Sequence, residues 1–250
     1  MNTFIYNGFM VGLFFFLGAV FASFFEATFY RLDHNMSIIS TDRSECDVCG
    51  NTLKWYENVP VLSYSMLDGE SLCCSNPIDV KYPLSELTGA VVAAISYFSA
   101  NPVINAVLMF LGAMVVLSDI DSKTIYRFLL IMAIGAALIR YYLIGGAFIS
   151  LLVVFAILVG FAFIIYILNH RRGFGDFLFS ITAGIVAGTN LPSDKFAVAT
   201  AISHMFIFLA IGSVISILIA YIKSPSGPIS KGLRVAATPM FFAIIAGFII

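Results

Sequence analysis

Charge is the scarcest thing in this chain. Only 11% of its 250 residues are Asp, Glu, Lys or Arg, where a soluble domain carries roughly 25%. That shortage excludes an ordinary soluble globule. The net charge of −1 comes without a basic stripe, which leaves nucleic acid without a footprint. No phosphate-cradling Gly-rich loop precedes a Lys, so nucleotide hydrolysis has no support. The N-terminal stretch also lacks Lys and Arg before its apolar run, and that run is long for a secretion signal. A retained first membrane helix is the better reading.

What is present is apolar. Hydrophobic residues make up 60% of the chain, including 25 Phe. Crossing a bilayer takes about 20 such residues in a helix. Runs of suitable length lie near 4–25, 84–99, 103–118, 126–143, 146–168, 176–191, 196–222 and 236–250. Asn101-Pro102 separates the second from the third. The predicted fold class is an all-α polytopic membrane protein with about eight transmembrane helices. Its expected parts are a first helix at 1–25, a polar loop subdomain at 26–83 and a membrane-embedded domain at 84–250.

The cations test this count. If eight spans alternate, one side receives 26–83, 119–125, 169–175 and 223–235. Of the 13 Lys and Arg, only Arg140 and Lys195 fall on the other side. Cytoplasmic loops are enriched in Lys and Arg, so those segments face the cytoplasm and both termini lie outside.

Two acidic sites then meet at one membrane face. Asp119, followed by Asp121, ends the third span, and Asp176 begins the sixth behind Gly173 and Gly175. Each alone reads well as a solvated or helix-capping residue. Together they read as a pair that shares a proton. One ionised carboxylate activates water while its protonated partner polarises a carbonyl, which is the chemistry of aspartic proteolysis. Gly173 and Gly175 leave room for a substrate backbone beside Asp176. The competing class is an ion-coupled transporter or proton relay, which calls for carboxylates near the bilayer midplane and repeated halves.

All four Cys lie in the polar loop. Cys46 and Cys49 form a C-x-x-C pair, whereas Cys73 and Cys74 are adjacent. In a cytoplasmic loop a structural metal is favoured over a disulfide. The other reading is four unliganded thiols in a degenerate loop. His34 is a further ligand candidate, and His204 lies within an apolar run where helix-to-helix hydrogen bonding is usual.

In order along the chain, these features resemble the type IV prepilin peptidases, bacterial inner-membrane aspartic proteases. The family's Gly-x-Gly-Asp signature is matched by Gly173-Phe174-Gly175-Asp176. Its first motif is matched by Asp119-Ile120-Asp121, which selects Asp119 over Asp121. "FASFFEATFYRL" at 21–32, the Tyr82, Pro83, Glu86 and Gly89 set, and Thr238-Pro239-Met240-Phe241 add to the likeness. Departures are Leu178 where the family has Lys, Ile125-Tyr126-Arg127 where it has Leu-Pro-Asp, and Glu26 where it has Asn.

The resemblance implies catalysis by Asp119 and Asp176 with no cofactor for proteolysis. It implies prepilin or pseudopilin substrates with a basic leader, cut on the cytoplasmic side of the inner membrane. It also implies N-methylation of the new terminus from S-adenosylmethionine, an activity tied to the altered loop. The family's second C-x-x-C, aligned on Pro77-Ile78, falls on Ser71 and Cys74. A Zn2+ held by Cys46, Cys49, Cys73 and Cys74 is expected there. An inactive family member that only binds pilus components would be marked by loss of a catalytic aspartate. Both aspartates are present.

Overall fold

The computed structural model describes residues 2–38, 43–122 and 125–144, and five single positions, Ala156, Gly160, Thr182, Ile185 and Val186. Five α-helices are found there: α1 Asn2–Asp33, α2 Leu62–Met66, α3 Lys81–Ser96, α4 Pro102–Ser122 and α5 Arg127–Ile144. A 3₁₀ turn covers Trp55–Asn58. The only extended pairing among the described residues is two isolated bridges, Glu45 with Thr52 and Glu70 with Pro77. The chain forms two compact units, Met1–Phe98 and Ser99–Ile250.

Among the described residues, three helices are long and apolar enough to cross a membrane: Thr3–Asp33, Pro102–Ile120 and Arg127–Ile144. They correspond to the runs predicted at 4–25, 103–118 and 126–143. The run predicted at 84–99 is a separate helix, α3, of 16 residues. Pro102 starts α4, a position where its missing N–H costs nothing and its fixed φ is helical. The runs predicted at 146–168, 176–191, 196–222 and 236–250 lie outside the described residues, apart from single helical positions within the first two.

In the first unit, α1 and α3 pack through small residues. Gly18, Ala19 and Ala22 of α1 are buried, as are Ser85, Gly89, Ala90 and Ala93 of α3. A Cβ at Gly18 would collide with the Gly89 carbonyl and lie 2.8 Å from Ala93 Cβ. In lipid no hydrophobic force drives helices together, so such close backbone approach supplies the packing energy. The opposite side of α1 is greasy and open, with Phe9 68% and Phe16 57% exposed, as an acyl-chain environment requires.

α1 runs eight residues past the predicted boundary at 25. Its 32 residues reach about 48 Å, against roughly 30 Å of hydrocarbon, so its C-terminal turns extend beyond the bilayer core. Phe25 and Phe29 are buried along this extension and hold it helical. Asn35 then stops it in the left-handed region at φ 56°. His34 stacks on Tyr30 at 4.2 Å, and its Nδ1 donates to the Tyr30 carbonyl at 2.8 Å.

In the second unit, α4 packs on α5 around a buried cation. Arg140 is only 2% exposed and donates through Nε to Asn105 Oδ1 at 2.8 Å. A second donor reaches the Val186 carbonyl at 3.3 Å. Asn105 Nδ2 in turn donates to Ser99 Oγ at 2.8 Å. Arg140, counted above as one of two cations off the cytoplasmic side, is therefore an interior residue of a span.

Candidate functional site

Two turns of the polar segment bring the cysteines together. In the first, Cys46 N–H donates to the Asn51 carbonyl at 2.8 Å and Gly50 N–H to the Cys46 carbonyl at 2.9 Å. Gly50 sits at φ 70°, which glycine adopts freely. In the second, Ser71 N–H donates to the Asn76 carbonyl and Ser75 N–H to the Ser71 carbonyl, each at 2.8 Å. The four sulfurs lie within 4.8 Å of one another. Cys46 and Cys74 are 3.8 Å apart, Cys73 and Cys74 3.9 Å, and Cys49 and Cys73 3.1 Å. A tetrahedral zinc with Zn–S bonds near 2.3 Å needs sulfurs about 3.8 Å apart. The donor set and spacing fit such an ion after sub-ångström adjustment. His34, bound to its own helix end, is not in this group.

The thiols are unequal. Hydrogen bonds from Ser71 and then Asn76 hold Cys74 down at about 6. Backbone N–H groups of Cys49 and Val48 lower Cys46. Cys73, hydrogen-bonded first to Cys49, is pushed up to about 12.

A cavity of about 510 Å³ within the first unit reaches the cluster at Cys46. The C-terminal turns of α1, the first cysteine turn, the 3₁₀ turn and the start of α3 form its walls. Carboxylates dominate: Glu26, Glu45, Asp47, Glu57, Asp79 and Glu86 against Arg31 and Arg43. Tyr30, Tyr64 and Tyr82 add aromatic surface.

Tyr82, Glu86 and Gly89, all within α3, each have a definite task. Tyr82 OH donates to Asp47 Oδ2 at 2.6 Å, tying the first cysteine turn to α3. Burial and the neighbouring Asp47 carboxylate push this phenol well above its usual range, so it keeps its proton and remains a donor. Glu86 Oε2 accepts the Val61 N–H at 2.7 Å. Gly89 admits α1. Val61 occupies φ 64°, ψ −42°, and Leu62 N–H closes on the Pro60 carbonyl at 2.7 Å. That is a γ-turn of the rare, strained hand, with a β-branched residue at its centre. Neither Asp47 nor Val61 announces itself in the sequence, because each acts through a partner 25 or more residues away.

Of the sequence-predicted acidic pair, Asp119 is described. It is half-buried in the last turn of α4, near the end of the apolar stretch Pro102–Ile120. Asp176, Gly173 and Gly175 lie outside the described residues.

The fold and cysteine turns define an all-α membrane protein with a four-thiol centre beside its first helix. Residues 16–100 match the bacterial peptidase A24 N-terminal domain. A prepilin leader peptidase/N-methyltransferase of Klebsiella pneumoniae is 34% identical over 125 residues, 46% of this chain and 54% of that one. Those of Vibrio cholerae and Myxococcus xanthus are 35% identical over 88 residues and 42% over 73. The two alignments cover 32% and 29% of this chain, and 35% and 22% of the relatives. The matched stretch thus spans about half, or less, of these relatives' length. Over these stretches the chain is similar to prepilin leader peptidase/N-methyltransferases, as its motifs lead one to expect. No solved structure matches it.

Proposed function

We propose that this protein is a membrane aspartic endopeptidase that removes the basic leader from type IV prepilin-like proteins. The observation that carries the reading is Asp119, a carboxylate in the last turn of an apolar span, in a chain related to prepilin leader peptidases. Asp176 is its partner. With one proton between them, the ionised carboxylate takes a proton from water and the water oxygen attacks the scissile carbonyl carbon. The protonated carboxylate donates a hydrogen bond to the carbonyl oxygen as charge builds there. The C–N bond breaks and the departing nitrogen takes a proton from the pair. Because the carboxylates titrate together, acid and base are roles of the pair. Gly173 and Gly175 give the substrate backbone access to Asp176.

The remaining assignments follow the same reading. Eight spans put Asp119 and Asp176 on the cytoplasmic face of the inner membrane, with both termini outside. The carboxylate-rich cavity complements a cationic leader arriving from that side. Cys46, Cys49, Cys73 and Cys74 hold a structural Zn2+ that ties the two turns together. N-methylation of the new terminus is the second activity. S-adenosylmethionine would supply the methyl group when bound, and Glu26, Asp47, Glu57 and Tyr30 offer anionic and aromatic walls suited to a sulfonium.

The test is gel-shift cleavage of a prepilin by membranes carrying wild type, Asp119→Asn, Asp176→Asn or Asp121→Asn. Wild type and the Asp121 variant should shorten the substrate; the other two should lose at least about 10³-fold in rate. Undiminished cleavage by either of those two removes that residue from the mechanism.

A further inference from the structure

We propose that the second cysteine turn has moved its metal ligand by two positions: Cys73 supplies the fourth sulfur, and Ser71 positions Cys74. The inference rests on the metal reading above.

The two turns are the same device used twice. Each closes with a first-residue N–H bonded to the carbonyl of the sixth, Cys46 to Asn51 and Ser71 to Asn76, both 2.8 Å. Each has a fifth-residue N–H on the carbonyl of the first, and each fifth residue has positive φ, Gly50 at 70° and Ser75 at 53°. Each is flanked by one antiparallel bridge, Glu45 with Thr52 and Glu70 with Pro77. The register is therefore unambiguous. Ser71 stands where Cys46 stands, Cys74 where Cys49 stands, and Cys73 where Val48 stands.

In the first turn the third position faces outward, with Val48 64% exposed. In the second, that position carries a thiol whose Sγ turns back to within 3.1 Å of Cys49 and 3.9 Å of Cys74. Ser71 Oγ bonds within its own turn. It accepts the Asn76 N–H at 3.2 Å and has its own proton for Cys74 Sγ, 3.1 Å away. A neutral hydroxyl is a poor ligand for a soft site, whereas one donating to a ligating sulfur fixes that ligand's direction. The vacated first position thus became an outer support, and the neighbouring cysteine completed the set.

Full-length protein in detergent is loaded with Co2+ for absorption spectra and with Zn2+ for competition against a chromophoric chelator. Cys73→Ser should weaken Zn2+ binding at least about 100-fold and lower the thiolate-to-Co2+ band by about a quarter. The double variant Ser71→Cys/Cys73→Ser, which rebuilds an ordinary C-x-x-C, should recover both. Ser71→Ala should weaken binding about tenfold without lowering the number of thiolates, and Ser71→Thr, which keeps the hydroxyl, should not. Full affinity and an unchanged spectrum in Cys73→Ser overturns the inference, as does a folded double variant that recovers neither. Failure of the wild type to bind either ion removes the metal reading itself, and the inference falls with it.

Discussion

At the residue scale, Val61 and the cysteines show how local chemistry is bent to a purpose. Val61 holds a backbone conformation that costs of order 1–3 kcal/mol for a side chain with a Cβ. Its N–H is thereby aimed at Glu86. Val61→Gly should raise stability by about 1 kcal/mol, read as a higher thermal midpoint in detergent. A lower midpoint would mean that the packing of the Val side chain outweighs the strain.

The thiols make a second residue-scale prediction. Cys73, pushed up to about 12, keeps its proton at neutral pH, and Cys74, at about 6, has already lost its own. Metal binding must expel the Cys73 proton, so apparent Zn2+ affinity should rise about tenfold per pH unit for that proton between about pH 6.5 and 8.5. Chelator competition across that range reads the slope; a flat profile would contradict the proton on Cys73.

At the scale of elements, the pairing of α1 with α3 depends on the absence of side chains at one crossing. Gly18→Leu should destabilise the first unit by about 1–3 kcal/mol, because the Gly89 backbone and Ala93 leave no room. Gly12→Leu, where a Cβ meets nothing within 4 Å, is the control and should be near neutral. Resistance to proteolysis distinguishes them; equal behaviour would disprove a tight crossing at Gly18. The α4–α5 pair is joined differently, by the buried Arg140–Asn105 hydrogen bond. A buried charge is stable only with such partners, so this contact also sets the register of the two helices.

At the scale of the molecule, the proposed reading needs the ends of α4 on opposite sides of the membrane. An alkaline phosphatase fusion after Ala100 should be active and one after Lys123 inactive, with fluorescent-protein fusions reversed. The opposite pattern would put Asp119 on the wrong face for a cytoplasmic cut. Within the first unit, the residues matched to the peptidase A24 N-terminal domain, 16–100, cover most of α1, both cysteine turns and all of α3.

Spans were legible in the sequence because hydropathy is a local property: a run of apolar residues is a helix in lipid whatever surrounds it. That sufficed for α4 and α5, for the break at Asn101-Pro102 and for the list of cysteines. The end of α1 at Asp33 was not legible, since the polar residues after Phe25 read as loop until buried Phe29 shows them continuing the helix. The tasks of Asp47, Val61 and Glu86 were hidden for a related reason. Each is one half of a contact whose other half lies 25 or 35 residues away. Composition and patterning by themselves therefore determined that this chain lives in a membrane and where four thiols and several acids fall along it. Only the tertiary structure decided which positions of the two cysteine turns correspond, because that register depends on backbone hydrogen bonds that a residue count does not contain.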